Sequence, residues 1–117
     1  MLKNNRIDET NCPVKATMDI IGGKWKPIIL YYLKEGTQRF GELQRLIPHI
    51  TKKMLTQQLR ELEKNEIIKR KVYHQVPPKV EYSLAEYGKS LKPALELLAD
   101  WGTAHQKKQS KKTSEGD

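Results

Sequence analysis

The chain has 117 residues, 31% of them charged, which is enough for one domain with its own core. Its formal net charge of +8 favours polyanionic partners such as nucleic acid or an anionic membrane surface. The single cysteine, Cys12, excludes an intrachain disulfide, and no apolar run approaches the ~20 residues of a membrane span. We therefore expect a cytoplasmic protein without a membrane segment.

The first predicted helix begins at Pro13, with Cys12 at its N-cap position. One apolar stripe runs along it, formed by Val14, Met18 and Ile21. The polar residues 1–11 before it are predicted to form a flexible arm. Two glycines at 22–23 end the helix.

Apolar spacing predicts the next two helices. The second runs from about residue 24 to residue 35 and is apolar nearly all round, which places it at the centre of the core. The third covers about residues 40–47, and Pro48 ends it because proline cannot continue a helix.

A fourth helix, residues 51–64, has a clear start signal. Thr51 can cap its N-terminus, and Ile50 can pack on Leu55 as a hydrophobic staple. Its buried side is predicted to consist of Leu55, Leu59 and Leu62.

Two alternating segments, 67–74 and 79–84, are predicted to pair as an antiparallel hairpin through the short link 75–78. A final helix is predicted from about residue 86 to residue 105, with a kink at Pro93. Residues 106–117 lack apolar side chains to bury and are predicted to be a disordered basic tail.

The predicted fold is therefore mainly α with a small β-hairpin wing, an α+β arrangement. A tight pair of helices followed by a two-stranded hairpin is the order of a winged helix-turn-helix DNA-binding domain. We assign residues 12–105 to this domain, including its dimerisation helices.

The outer face of the fourth helix is basic in its first half, where a helix in the major groove places its reading residues. Gln57 can bridge an adenine edge, and Arg60 can bridge a guanine edge or hold a phosphate. A plain solvated helix face is the alternative, but the acids lie in the second half and helix N-termini attract phosphates. The candidate DNA-binding residues are Arg39, Thr51, Lys52, Lys53, Thr56, Gln57, Arg60, Arg70, Lys71, His74 and Lys79.

The last helix carries more apolar surface than one small core requires. A spacing of four and three residues relates Tyr87, Leu91, Ala94, Leu98 and Trp101, and Leu95 and Leu97 broaden that face. This surface predicts a homodimer, although a helix that only covers the core is the alternative. The candidate dimer interface is Val14, Met18, Leu91, Leu95, Leu98 and Trp101.

Several short motifs occur in order along residues 12–105: Cys12-Pro13-Val14, Ile21-Gly22-Gly23-Lys24-Trp25, Arg39-Phe40-Gly41-Glu42-Leu43, the segments 50–56, 59–63 and 76–82, and Leu84, Gly88, Leu91, Pro93 and Trp101. In these the chain resembles the HxlR family of bacterial transcriptional regulators. The resemblance implies a winged-helix homodimer on a two-fold operator, with N-terminal and C-terminal helices at the interface. Repression is the commoner role in that family.

Two positions depart from the pattern of that family. Ala85 stands where a threonine usually caps the last helix. Asn65-Glu66 replaces a glycine-containing turn before the hairpin, so Asn65 is expected to supply the left-handed residue.

Cys12 is a candidate sensor. The helix macrodipole and the nearby charge of Lys15 favour a reactive thiolate at this position, which could meet an oxidant or a small electrophile. Several HxlR-type regulators use a cysteine at the matching position. With one cysteine, oxidation has to give an intersubunit or a mixed disulfide, whereas alkylation needs no partner. An N-cap cysteine without a signalling role is the alternative.

No pattern in the sequence points to an enzyme, a metal or another cofactor. The three histidines do not form a metal-ligand spacing with Cys12, and no glycine-rich phosphate loop occurs. A winged-helix protein-interaction module and a nonspecific DNA-binding protein stay open as alternatives to a sequence-specific regulator.

Overall fold

The computed structural model of the chain describes residues 11–115, with side chains described as far as residue 112. In chain order the elements are α1 (Pro13–Ile21), α2 (Lys26–Glu35), β1 (Gln38–Arg39), α3 (Phe40–Leu46), α4 (Lys52–Lys64), β2 (Ile68–Tyr73), β3 (Lys79–Leu84), α5 (Glu86–Lys89) and α6 (Lys92–Glu115). Helices α3 and α4 form a helix-turn-helix, and the β2–β3 hairpin is the wing. This winged helix-turn-helix confirms the predicted fold class, whereas the predicted N-terminal arm lies outside the described residues except for residue 11.

The core lies around α2, as the sequence predicts. Ile29, Leu30 and Leu33 of this helix are buried, and α2 packs against α3, α4, α6 and β3. From α4 the core receives Leu55 and Leu59. Among the described residues, no polar or charged side chain is buried, so hydrophobic burial holds the fold together.

A three-stranded antiparallel sheet has the order β1-β3-β2. In the wing Ile68 lies opposite Leu84, and both are buried. The short strand β1 is absent from the sequence prediction because two residues are too few to show an alternating pattern. It joins the segment before α3 to the sheet, with Arg39 paired to Glu81.

The turn after α4 differs from the prediction. Glu66, with φ of 62°, is the left-handed residue, and Asn65 is not, with φ of −87°. The N–H of Glu66 bonds to the carbonyl of Glu63 at 2.9 Å, and that of Ile67 to the carbonyl of Leu62 at 3.0 Å. These two bonds form a Schellman motif, which requires the left-handed residue one position beyond the C-cap. Asn65 is that C-cap.

The C-terminal part forms two helices instead of one kinked helix. Ser90 and Leu91 separate α5 from α6, and Pro93 is the second residue of α6, where a missing N–H costs nothing. Residues 106–115, predicted to be a disordered tail, continue α6. Glycine and proline are absent from 103–115, and the lysines and glutamines there are good helix formers.

Gly88 brings α5 against the start of β2. A Cβ at this position would lie 1.9 Å from the carbonyl oxygen of Ile67, so only glycine fits. The same carbonyl accepts a hydrogen bond of 2.9 Å from the N–H of Ala85, which fixes the beginning of α5. Within residues 11–115, none of the helices combines the length and hydropathy needed to cross a bilayer.

Candidate nucleic-acid interface

Helix α4 begins as the sequence predicts. The Thr51 hydroxyl oxygen accepts a hydrogen bond of 3.0 Å from the N–H of Met54, which satisfies one of the open donors of the first turn. Ile50 is buried just before this cap. The buried side of α4 consists of Leu55, Leu59 and Leu62, which fixes the direction of the opposite face.

That opposite face is basic and exposed. Lys52, Lys53, Gln57 and Arg60 are exposed, and Thr56 is half-buried at the edge of the face. The structure adds Lys64, which is exposed on the same face at the end of the helix but is absent from the predicted set. In the first turn of α4 there is no acidic residue, so the partial positive charge of the helix N-terminus and the lysines act together.

Gln57 takes part in a hydrogen-bond network that the sequence did not reveal. Its side-chain amide donates to Glu61 at 3.3 Å, and Glu61 also accepts a hydrogen bond from Lys26 of α2. The bond from Lys26, and then that from Gln57, hold the pKa of the Glu61 carboxyl below its ordinary value. The predicted adenine reader is therefore positioned by a contact between two helices, and its bond of 3.3 Å is long enough to exchange easily.

A cleft of about 410 Å³ separates α4 from the wing. Phe40, Leu59 and Val80 are among its apolar lining residues. Arg60 of α4 and Arg70 of β2 both line it, because Arg70 lies opposite Tyr82 on the face of the wing that turns toward the helix. The structure thus brings these two predicted DNA-binding residues together at one groove.

The other wing residues lie on the opposite face of the sheet. Glu81 stands between Arg39 and Lys71 in a row across the three strands. A hydrogen bond from the Tyr73 hydroxyl, then the charge of Lys79, lowers the pKa of the Glu81 carboxyl. The ammonium groups of Lys71 and Lys79 lie 4.8 Å and 4.3 Å from the centroid of the Tyr73 ring. The predicted DNA-binding residues of the wing therefore form two groups and not one surface.

The tip of the wing carries one exposed histidine and one exposed apolar side chain. His74 follows β2 and is exposed, as expected of a residue that reaches a phosphate. Val76 is 99% exposed, and the sequence prediction assigned it no function. The available signal was its place before Pro77-Pro78 in a hairpin link, where an apolar residue has no core to join.

Cys12 is the N-cap residue of α1, as predicted. Its carbonyl accepts the first helical bond, 3.0 Å from the N–H of Ala16, while its side chain makes no capping bond and is partly exposed. Lys15, whose positive charge was expected near Cys12, forms an exposed ion pair of 2.9 Å with Asp19. Among the described residues, Cys12 belongs to no cluster of ligands that could hold a metal ion.

The predicted dimer residues divide into exposed and buried ones. Val14 is 66% exposed and Trp101 is 70% exposed, and Met18 and Leu98 are also exposed. Leu95 is only 4% exposed within one chain and packs in its core, and its assignment to an interface stays a prediction. Leu91 is half-buried against that core. The structure adds an apolar groove of about 210 Å³ between α2 and α6, lined by Pro27, Ile28, Tyr31, Leu95, Leu98 and Ala99.

The sequence of the chain matches known regulators over most of its length. A family model described as HxlR-like helix-turn-helix matches residues 20–110. The uncharacterized HTH-type transcriptional regulator YdeP of Bacillus subtilis is 58% identical over 95 residues, which are 81% of this chain and 74% of YdeP. Another B. subtilis regulator of that description, YtcD, is 59% identical over 95 residues, 81% of this chain and 75% of YtcD.

Solved structures share the fold. The redox regulator HypR in its reduced form has a TM-score of 0.79 at 50% identity, with 86% of this chain and 99% of HypR covered. The reduced form of the transcriptional regulator YodB from B. subtilis has a TM-score of 0.67 at 37% identity, with 77% of this chain and 89% of YodB covered.

Proposed function

The chain belongs to the HxlR-like helix-turn-helix family of transcriptional regulators, and from this we propose that it is a sequence-specific DNA-binding repressor that acts as a homodimer. The observation that carries the proposal is the exposed basic first half of α4, beside a wing that is basic on both faces. An interaction module without DNA would not need that arrangement of charge. Since DNA is its partner, we place the protein in the cytoplasm.

In the proposed complex, α4 lies in the major groove. Lys52, Lys53 and Thr56 meet the groove with the first turns of the helix, and Gln57 and Arg60 reach adenine and guanine edges. Thr51 can contact DNA while it caps the helix. Its hydroxyl oxygen accepts the hydrogen bond from the Met54 N–H, and its own O–H can donate to a phosphate. Within the half-site, the wing contacts the phosphate backbone next to the recognised bases through Arg39, Arg70, Lys71, His74 and Lys79.

The proposed dimer buries the exposed apolar side chains of α1 and α6. Single exposed apolar residues are ordinary, but Val14, Met18, Leu98 and Trp101 together leave two helices with apolar surface that the described residues 11–115 do not cover. Two copies related by a two-fold axis would place their α4 helices on half-sites about one helical turn apart, or a multiple of it.

The test of DNA binding uses the full-length protein and a duplex from upstream of its own gene. We expect a steep fall in affinity with added salt, with a slope of about −0.9 for each phosphate neutralised. Competition with a random duplex of equal length separates the alternatives. Equal affinity for both duplexes would identify a nonspecific DNA-binding protein. If neither duplex binds, the result would favour the alternative function, a winged-helix protein-interaction module.

We further propose that Cys12 senses an oxidant or a small electrophile. Its partly exposed thiol, which makes no capping bond, supports the proposal, as does the likeness to HypR, a protein named as a redox regulator. Alkylation by iodoacetamide is expected to lower operator affinity of the wild type and to leave Cys12→Ser unaffected. Equal affinity of alkylated and untreated wild type would reject the sensor.

A further inference from the structure

The face of the wing that turns away from α4 carries a continuous trough. One depression, of about 460 Å³, is lined by residues that include Lys69, Lys71 and Tyr73. A second, of about 270 Å³, extends to Lys89 and Lys92 at the junction of α5 and α6. Both are lined by Thr37, Lys69 and Ser83, so they join into one surface, which we call the wing-back trough.

Cations and hydroxyls dominate the lining of the wing-back trough. The two depressions together are lined by five lysines, by Arg70, which also lines the cleft beside α4, and by two acids, Glu35 and Glu81. Both acids already have partners within the chain: Glu35 forms an ion pair with Lys34, and Glu81 with Lys79. The surface is therefore positive, and hydroxyls of Thr37, Tyr73 and Ser83 lie among its charges.

Two lysines of the trough interact with acids only at a distance, Lys69 with Glu86 and Lys92 with Glu35, and each of these acids is in an ion pair with another lysine. Lys69 is exposed and Lys92 is half-buried, and within the described residues neither forms an ion pair. The ammonium group of Lys71 lies over the ring of Tyr73. Lysines that are not held in a close ion pair, beside hydroxyl groups, are the chemistry that binds the phosphates of a nucleic-acid backbone.

The position of the trough determines which part of the duplex could reach it. Along β2, Lys69 lies four residues back from Tyr73 at the tip, about 13 Å at the usual rise of a strand. It lies on the other face of the sheet from the cleft that Arg60 and Arg70 line. A duplex seated on α4 and the Arg60–Arg70 cleft meets one face of the wing, whereas Lys69 lies on the other face, so DNA has to turn around the wing to reach it.

We propose that the wing-back trough binds the phosphodiester backbone of duplex DNA flanking the operator half-site and thereby bends that DNA around the wing. The inference rests on the proposed function, since the flanking DNA is delivered by an operator already bound to α4. Attraction between the trough lysines and the flanking phosphates offsets the energy needed to bend the duplex, and it adds sequence-independent affinity. Each side of a two-fold dimer would carry one such trough.

The test compares two duplexes that contain the same operator, one ending at the half-sites and one extended on both sides. In the full-length protein, Lys69→Gln combined with Lys92→Gln is expected to bind the short duplex as the wild type does. Its affinity for the long duplex should fall roughly ten-fold per dimer at moderate salt, and the salt slope by about 0.9 for each phosphate that is no longer neutralised. The bend measured by energy transfer between the duplex ends should also decrease.

The matched control is Lys111→Gln combined with Lys112→Gln, which removes the same charge from exposed positions at the far end of α6. We expect it to leave the difference between long and short duplexes unchanged. Thermal unfolding of both variants verifies that they fold as the wild type does.

Three results would overturn the inference. Equal weakening on both duplexes would place these lysines within the half-site interface, and no change on either would assign the trough to another partner, such as an acidic protein surface. Wild-type protein that binds neither duplex would overturn the proposed function together with the trough, which distinguishes this failure from the first two.

Discussion

Lys26 of α2 donates a hydrogen bond to Glu61 of α4, although 35 residues separate them in sequence. The bond connects the central core helix to the helix proposed to read DNA. Glu61 also receives the amide of Gln57, so one carboxylate both fixes α4 on the core and orients a base-reading side chain. The position of the proposed DNA-reading face of α4 thus depends on the contact between Lys26 and Glu61.

This contact and three others like it predict an acid-sensitive fold. The carboxyls of Glu35, Glu61, Glu81 and Glu86 have pKa values lowered from the ordinary 4.5, each chiefly by a hydrogen bond to a neighbouring side chain. A folded-state pKa below the unfolded one means that the unfolded chain binds more protons, so stability is full above 4.5 and is lost as the pH falls through the lowered values.

Thermal unfolding between neutral pH and pH ~3 measures the effect. We expect a constant Tm near neutral pH and a decline below about 4.5, the ordinary glutamate value. Glu61→Gln should flatten part of that decline because one of the titrating groups is gone. A Tm that is independent of pH in the acid range would show that these bonds contribute nothing to stability.

Replacing Lys52 and Arg60 by alanine should weaken operator binding without unfolding the protein. Both side chains are exposed, so the core is unaffected, while loss of a guanine contact by Arg60 should cost about 1–3 kcal/mol of discrimination. Anisotropy titrations at one salt concentration measure it, with Lys111→Ala combined with Lys112→Ala as the charge-matched control. Unchanged affinity in the Lys52 and Arg60 variant would mean that another face meets the DNA.

The Thr51 cap gives a prediction on the stability of the protein without DNA. Thr51→Ala removes the acceptor of the Met54 N–H and should cost about 1 kcal/mol of unfolding free energy. Thr51→Ser keeps the hydroxyl and should lose much less. Urea denaturation compares the two, and identical midpoints for alanine and serine would argue that the cap is not used in solution.

Leu95 and Trp101 lie on the same helix, but replacing them should have different effects: one on stability and the other on dimerisation. Trp101→Lys places a charge on the exposed face of α6 and should shift the protein from dimer to folded monomer in light scattering. Leu95→Ala leaves a cavity in the core and should cost about 2–5 kcal/mol of unfolding free energy. A dimer that survives Trp101→Lys would locate the interface on another surface.

Most of the fold could be predicted because its elements carry local signals. The cap at Thr51, the leucine spacing of α4 and the alternation of the wing each depend on residues close in sequence. The strand β1 could not be predicted, since its two residues are defined only by their distant partners in β3. The left-handed conformation of Glu66 could not be predicted either. The position of the left-handed residue in a Schellman motif depends on where the last turn of α4 ends.

The residues of the candidate site could be predicted from the sequence, but their arrangement in space could not. Alternation places Arg70 and Lys71 on opposite faces of β2, yet only the pairing with β3 shows which face meets α4. Likewise, spacing grouped Leu95 with Trp101 on one side of a helix, whereas the packing of α2 against α6 buries the first and exposes the second.

The absence of a side chain at Gly88 has a consequence for the operator spacing that a dimer would recognise. Because the carbonyl of Ile67 occupies the place of a Cβ, the short helix α5 lies directly against the start of β2, and with two residues between α5 and α6 this contact influences the direction in which α6 departs. In a dimer joined through α6, that direction sets the separation of the two α4 helices. In Gly88→Ala the added methyl group would force α5 away from Ile67, and a dimer that still forms should prefer operators with a different number of base pairs between half-sites.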